Sequence, residues 1–425
     1  MPLKRPPAVG LAEAWEVPDL RAFLLGDTAS KMGRAAFMTS VGWKVAELGG
    51  PKAFGAIMTA YFLGHLPLIM IGGMLVDRIP RRTVALAMDI VQAVLAALFI
   101  LLLMAGFDLV NVMIFAAFMM GASSAFSMPA IQALVPDLVE EEMLSSATGL
   151  HNALRTAAWS VGGLIGGVVI RYSTMHVALL LDLISFLISA WILFGMKEVP
   201  IERDEEDEGD FRTEMGEAMA FVISQPWLFI GIIAFMVFHI GGAIVDIGIP
   251  FIVQVNDWNA IHYGVWGAMM PIGASLGALW AGSNPISKEK RGLIFYIVVG
   301  IAAWLDILYV FVPWFGVIMI IAIFQGLMGG VLGVIWNTTI GDSVDQRLRG
   351  RVNSIDMIGS FLFIPFAPLF GGYMIETIGL QATFLIAVSI MVAATIVGVV
   401  VPSFRRFERI GTERFPLTGS QNGPD

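Results

Sequence analysis

The chain has 425 residues, 57% hydrophobic and 14% charged, with a formal net charge of −9. Soluble globular chains carry roughly 45–50% apolar and about 25% charged residues, so this composition excludes a water-facing surface over most of the molecule. Cysteine is absent, which excludes disulfides, thiol catalysis and cysteine-ligated metals.

Crossing a bilayer takes about 20 apolar residues in a helix. In chain order, apolar runs predict spans near 19–43, 53–75, 83–105, 109–132, 146–171 and 174–196. An acidic run from Glu202 to Asp210 follows, read as a solvated linker. Further spans are predicted near 226–253, 262–283, 291–312, 314–338, 352–376 and 380–402. The fold class expected is an all-α integral membrane protein of twelve transmembrane helices. Its parts are a bundle over 1–196, a cytoplasmic linker with an amphipathic segment over 197–225, a second bundle over 226–403 and a tail over 404–425. The first run is a full-length span without a small-residue cleavage site, so no removable leader is expected. Most of the 25 Lys and Arg fall on one side of this topology, whereas only Lys44, Lys52 and Arg171 fall on the other. Cytoplasmic loops retain positive charge, which predicts both termini inside a cell membrane.

The halves repeat. Gly55, Gly64 and Gly73 recur as Gly264, Gly273 and Gly282, and Gly166-Gly167 recurs as Gly371-Gly372. Glycines registered across equivalent spans predict two pseudo-symmetric six-helix bundles related by an axis along the membrane normal. That pattern belongs to transporters whose halves rock about a central site.

Between the second and third spans stands Gly73-Met74-Leu75-Val76-Asp77-Arg78-Ile79-Pro80-Arg81-Arg82. It resembles the G-x-x-x-D-R-x-G-R-[RK] loop of the major facilitator superfamily, with Pro80 in place of the usual Gly. The reading assigns gating to Gly73, Asp77, Arg78, Arg81 and Arg82. Gly73 would admit a neighbouring helix, and Asp77 would make charge-assisted bonds that open and close with the gate. Three further stretches are similar to the drug:proton antiporter branch that holds macrolide exporters and the enterobactin exporter. They are Gly26-Asp27-x-x-Ser30-x-x-Gly33, the run from Gly121 through Pro129 to Pro136-Asp137-Leu138, and Arg349-Gly350-Arg351-Val352-Asn353. The Arg in span four and the Gly-Pro pair in span five of other drug-exporter branches are absent, so their coupling residues do not carry over.

Ionisable groups inside spans cost roughly 2.5–3.5 kcal/mol each on insertion scales, which makes each a functional candidate. In span one, Asp27, Ser30, Lys31 and Arg34 fall within an arc of about 100°. Asp27 and Lys31 are spaced to pair, which leaves Arg34 as a spare cation for an anionic or zwitterionic substrate. His239 and Asp246 share a face of span seven and, with Asp27, are the proton-coupling candidates. Asn152 and Arg155 in span five, and Asn353 and Asp356 in span eleven, are expected to be cytoplasmic gate partners across the halves. Asp89, Asp182 and Asp306 are expected to be peripheral packing groups, and His65 a structural histidine. Asp27, Lys31 and Arg34 are also substrate-binding candidates, and Phe126, Met128, Met269, Met270, Gln325 and Trp336 are candidates for an adaptable substrate pocket.

These features, with the resemblance, imply proton-coupled export of hydrophobic or amphiphilic small molecules by alternating access. Protons, an amphiphilic substrate and membrane lipid are the expected partners of a monomer. No nucleic acid, cofactor, metal or enzymatic activity is expected. A lipid or lysophospholipid transporter and a non-transporting sensor or scaffold stay open as rival readings.

Overall fold

A computed structural model of the chain describes residues 10–76, 78–198 and 211–407. The described residues form sixteen α-helices, one short 3-10 turn (Glu141–Met143) and no strand: α1 (Leu11–Glu16), α2 (Pro18–His65), α3 (Ile69–Val76), α4 (Arg81–Met104), α5 (Leu109–Asp137), α6 (Leu144–Tyr172), α7 (Met175–Gly195), α8 (Phe211–Ser224), α9 (Pro226–Val255), α10 (Ala260–Ser283), α11 (Lys288–Phe311), α12 (Phe315–Ser343), α13 (Gln346–Phe361), α14 (Ala367–Ile378), α15 (Leu380–Val400) and α16 (Pro402–Arg406). The acidic run at 202–210 lies outside the described residues.

Twelve crossings emerge once two interruptions are read physically. Helix α2 contains two, divided at Gly50, whose φ of 70° and ψ of −171° leave the helical region. Glycine tolerates that φ, and Pro51 then opens the next crossing, where its missing N–H costs nothing. The second crossing continues through α3. Helices α13 and α14 form one crossing broken by a turn that contains Pro365, which cannot donate a helical hydrogen bond. Among the described residues, nine stretches are long and apolar enough on their own to span a membrane. The other three crossings are the second limb of α2, the Gly-rich α10 and the broken α13–α14 pair.

The two halves are built on one plan, and the glycines show it. A Cβ on Gly64 would meet the Phe118 carbonyl oxygen of α5 at 2.2 Å, and one on Gly273 would meet that of Ile323 of α12 at 2.0 Å. Gly55 lies against the Pro368 carbonyl oxygen of α14, at 2.3 Å, just as Gly264 lies against that of Gly163 of α6, at 2.6 Å. Gly166 packs on α2 and Gly371 on α9, and their neighbours Gly167 and Gly372 pack on α10 and α2. Gly73 and Gly282 both face open space. That last pair corrects one expectation: the close helix approach in the loop motif is made by Gly72, which sits against the Ala125 carbonyl oxygen. A charge pair also repeats. Arg81 at the start of α4 pairs with Asp137 at the end of α5, and Arg291 of α11 pairs with Asp342 of α12 at 2.7 Å.

Between the halves, the contacts cluster at the end opposite the basic loops. Gly167 meets Ala260, Gly372 meets Pro51, Lys52 pairs with Glu376 at 3.3 Å, and the Thr59 hydroxyl accepts from Leu369 N–H at 3.2 Å. The innermost is the Ser160 hydroxyl donating to the Ala268 carbonyl at 3.1 Å. Toward the basic end the halves part around a cleft of about 770 Å³ between α6, α10 and α12.

The second half packs more chain than the sequence suggested. Ala218, Phe221 and Val222 of α8 join Leu348, Val352, Trp227 and Phe407 in one buried cluster. Glu214 and Glu217 of α8 reach Arg351 at 3.0 Å and Arg347 at 2.6 Å. Phe407, in the stretch expected to be a cytoplasmic tail, packs on Trp227 with ring centroids 5.5 Å apart and on Phe295 at 5.4 Å. Both ends of this half are thus tied to its own core.

Candidate substrate and proton sites

The polar stripe on α2 becomes a buried network inside the first half. Asp27 is buried, and its carboxylate is flanked by Lys31 at 3.5 Å and by His151 Nε2 of α6 at 2.9 Å. Arg34 is not the spare cation expected. Its Nη2 donates to Gln92 of α4 at 2.7 Å, its Nε lies 3.3 Å from Asp182 of α7, and its guanidinium sits 4.8 Å from the Phe186 ring centre. A buried charge needs a partner and hydrogen bonds to be tolerated; here α4 and α7 supply them. Asp182 is therefore an ion-pair partner and not packing glue.

Lys31, Arg34, Asp89, Gln92, Ser127, Met128 and Arg155 line a pocket of about 200 Å³ within this half. Asp89, expected at the periphery, faces that pocket, with Ser189 hydrogen-bonded to its carboxylate. Tyr61 donates to Ser124 at 3.3 Å on the pocket wall. Arg155 and Trp159 also line the central cleft, so they stand where pocket and cleft meet.

In the second half Asp246 is exposed, and among the described residues it makes no hydrogen bond or ion pair. His239 shares its helix but not its surroundings: the imidazole stacks on Phe361 at 4.3 Å and on Phe235 at 5.7 Å. A polar chain with Asp246 as a charged neighbour runs through Trp266, Tyr309, Gln325 and Asp306. Trp266 Nε1 donates to the Tyr309 hydroxyl at 3.2 Å, that hydroxyl donates to Gln325 Oε1 at 2.7 Å, and Gln325 Nε2 donates to Asp306.

Several expected pocket residues sit elsewhere. Gln325 is engaged in that chain. Trp336 is 5% exposed in the core of its half, and its N–H donates to Asp356 at 2.7 Å. Asp356, expected to bond across the halves, is thus held by Trp336 and by the Ser360 hydroxyl at 3.1 Å, both in its own half. Asn152 and Arg155 line the cleft, whereas Asn353 is exposed on α13; the two pairs do not meet. Met128 lines the pocket, but Phe126, Met269 and Met270 line neither cavity. In the gating loop, Asp77 lies outside the described residues. Arg81 holds Asp137, Arg78 is exposed, and Arg82 donates to the carbonyls of Leu193 at 2.7 Å and Phe194 at 2.6 Å. The arginines thus tie α4 to α5 and α7 inside one half.

The sequence reading missed His151, Gln92 and Trp159. His151 carried a usable signal: it precedes Arg155 by four residues, so the two share a stripe of the fifth span. Gln92 carried none, because an uncharged amide on a span is ordinary until its partner is seen.

A pseudo-symmetric pair of six-helix bundles with a polar pocket beside a one-sided cleft defines a polytopic membrane transporter. The chain belongs to the Major Facilitator Superfamily, whose family model matches residues 23–308 and 289–418. It is similar to the multidrug efflux pump Tap of Mycolicibacterium fortuitum, at 25% identity over 88% of this chain and 94% of the relative. Macrolide efflux protein A of Streptococcus pyogenes is 22% identical over 82% of this chain and 88% of its own. The proton-coupled antiporter flippase LtaA of Staphylococcus haemolyticus is 26% identical over 58% of this chain and 63% of its own. Among solved structures, the nucleoside transporter NupG superposes with a TM-score of 0.72 at 11% identity, covering 89% of this chain and 98% of that one. A bacterial homologue of the lysosomal transporter Spinster superposes with a TM-score of 0.66 at 13% identity, covering 92% and 95%. The chain is a multi-pass membrane transporter and not an enzyme.

Proposed function

We propose that the chain exports amphiphilic small molecules across the cell membrane by alternating access, coupled to proton entry. The observation that carries this reading is the placement of carboxylates in both halves. Asp27 is held between Lys31 and His151 beside the pocket, and Asp246 is exposed and unpaired on α9. Protonation of Asp27 would release Lys31 toward the pocket, so a proton and a substrate compete for one set of charges. Asp246, without a cation beside it, is the better proton carrier. The basic end is read as cytoplasmic on the positive-inside pattern, and the cleft then faces the cytoplasm. Relatives named as multidrug and macrolide exporters support the direction and the substrate class.

The test uses proteoliposomes, an imposed pH gradient and fluorescent amphiphiles of neutral, cationic and anionic type. Accumulation against the substrate gradient is expected for wild type, with its loss on collapse of the pH gradient. Asp246→Asn is expected to abolish uphill transport and preserve downhill exchange. Uphill transport by the Asp27→Asn/Asp246→Asn double variant would remove the coupling assignment.

Movement of a lipid or lysophospholipid is favoured by one observation, the three cations Lys31, Arg34 and Arg155 around the pocket. The named flippase relative supports the same reading. Flux of a lysophospholipid that depends on its headgroup, with no flux of the soluble amphiphiles, would favour it over drug export.

A further inference from the structure

Four cationic or cation-capable side chains, Lys31, Arg34, His151 and Arg155, gather on α2 and α6 of the first half, and three of them already have carboxylate partners. Lys31 and His151 share Asp27, and Arg34 pairs with Asp182. Arg155 is the exception. It is half-buried, and among the described residues it makes no hydrogen bond or ion pair. An unpaired cation at membrane depth costs roughly 2.5–3.5 kcal/mol on insertion scales, and such groups mark substrate pathways.

Its surroundings define what would pair with it. On one side lies the pocket of about 200 Å³, which three cations line against the single carboxylate of Asp89. Asp89 faces Ser189, with Lys31, Arg34 and Asp27 as its charged neighbours, so it is not the partner of Arg155. On the other side lies the cleft of about 770 Å³, whose far wall on α10 and α12 is mostly small and apolar, Pro271, Ala274, Ala278, Gly329, Gly330 and Val334, with the neutral polar side chains of Ser275, Asn337 and Thr338 among them. That wall carries no charge. Trp159, one helical turn beyond Arg155, lines both cavities.

We infer that the substrate is an anionic amphiphile, with its carboxylate or phosphate group on Arg155 at the mouth of the first-half pocket and its apolar body along the α10–α12 wall. The planar guanidinium presents paired donors that fit either oxyanion. Lys31, 24% exposed at its side chain, supplies a second positive charge from the pocket floor. Oxyanion and tail are both required, because the charge sits at the junction while most of the open volume is apolar. This deepens the export reading by naming a substrate class, yet it concerns equilibrium binding and stands or falls without any pH gradient.

The experiment measures binding to the purified full chain in nanodiscs at fixed pH. The probes share a twelve-carbon tail and differ in their heads: carboxylate, phosphate monoester, lysophosphatidylglycerol and trimethylammonium. Inorganic phosphate and acetate serve as tail-less controls. The expected result is saturable binding of the anionic members, at least tenfold tighter than the trimethylammonium member, with no competition from the controls. Arg155→Gln should weaken anion binding tenfold or more, and Arg155→Lys should recover part of it, which separates charge recognition from loss of fold. Tight carboxylate binding with weak lysophosphatidylglycerol binding identifies a free amphiphilic acid, and the reverse identifies a lipid headgroup; either supports the assignment. Equal binding of the cationic and anionic members, or anion binding unchanged in Arg155→Gln, overturns it. In that case proton-coupled export is untouched, because its own test reads flux against a gradient.

Discussion

Arg34 and Asp182 sit 3.3 Å apart, with side-chain exposures of 11% and 0%. Removing one partner of a buried pair leaves an uncompensated charge, worth about 3–5 kcal/mol, whereas replacing both by apolar groups of similar volume is often close to neutral. Arg34→Ala should therefore lower the thermal unfolding midpoint sharply, and Arg34→Met/Asp182→Leu should recover most of the loss. Equal destabilisation by the single and double variants would mean that the pair is not a unit. Sequence reading reached one side of this network. The stripe Asp27, Ser30, Lys31 and Arg34 follows from helical periodicity alone, because all four residues lie on one helix. The partners His151, Gln92 and Asp182 come from three other helices, and which helix faces the stripe is decided by packing. Asp182 was read as peripheral for that reason, and Arg34 as free. The same limit misplaced Trp336 and Asp356, which bond to each other within one half.

Helices in this chain approach each other where glycine leaves the backbone bare, and the elements expose two opposed handles on the transport cycle. A Cβ at Gly167 would meet the Ala260 carbonyl oxygen at 2.7 Å, on the closed side of the cleft, whereas Gly73 faces open space on the other side. Gly167→Leu should disfavour the state described here. Gly73→Leu should leave that state intact and obstruct closure at the basic end. The chain has no cysteine, so one thiol placed at Thr338 on the cleft wall reports accessibility directly. Labelling by a membrane-impermeant maleimide should fall several-fold with Gly167→Leu and stay at or above the wild-type level with Gly73→Leu. The same change in both variants would contradict the assignment of the two faces. Helix α8 offers a second test of magnitude. Its ion pairs to Arg347 and Arg351 are partly exposed, and such pairs contribute about 0–1 kcal/mol. Phe221 is fully buried, and a buried Phe→Ala substitution costs about 3–5 kcal/mol. Phe221→Ala should thus lower the unfolding midpoint far more than Glu217→Gln. At this scale the sequence was legible: the glycine register marked both the repeat and the packing faces. The tie of α8 and Phe407 to the second core was not, because a short amphipathic segment does not say which surface receives it.

At the scale of the molecule, the pseudo-symmetric plan holds for the glycines and for the Arg81–Asp137 and Arg291–Asp342 pairs, but it breaks in the polar interior. The first half places its ion pairs around a pocket that meets the cleft. The second half turns Asp306, Gln325 and Tyr309 inward on one another and leaves Asp246 near them without a hydrogen bond or ion pair among the described residues. A repeated scaffold with unequal interiors is suited to separating tasks, substrate charge on one side and proton on the other. The alternating-access account then makes substrate and proton movements obligatory partners. Coupling works in both directions, so a substrate gradient alone must move protons. The most direct measurement loads proteoliposomes with a fluorescent amphiphile that the chain transports, dilutes them into substrate-free buffer and follows internal pH with no imposed proton gradient. The account predicts a proton flux opposite to the substrate flux in wild type and none in Asp246→Asn, although downhill substrate exchange continues. Substrate efflux from wild-type vesicles without any accompanying proton movement would contradict it.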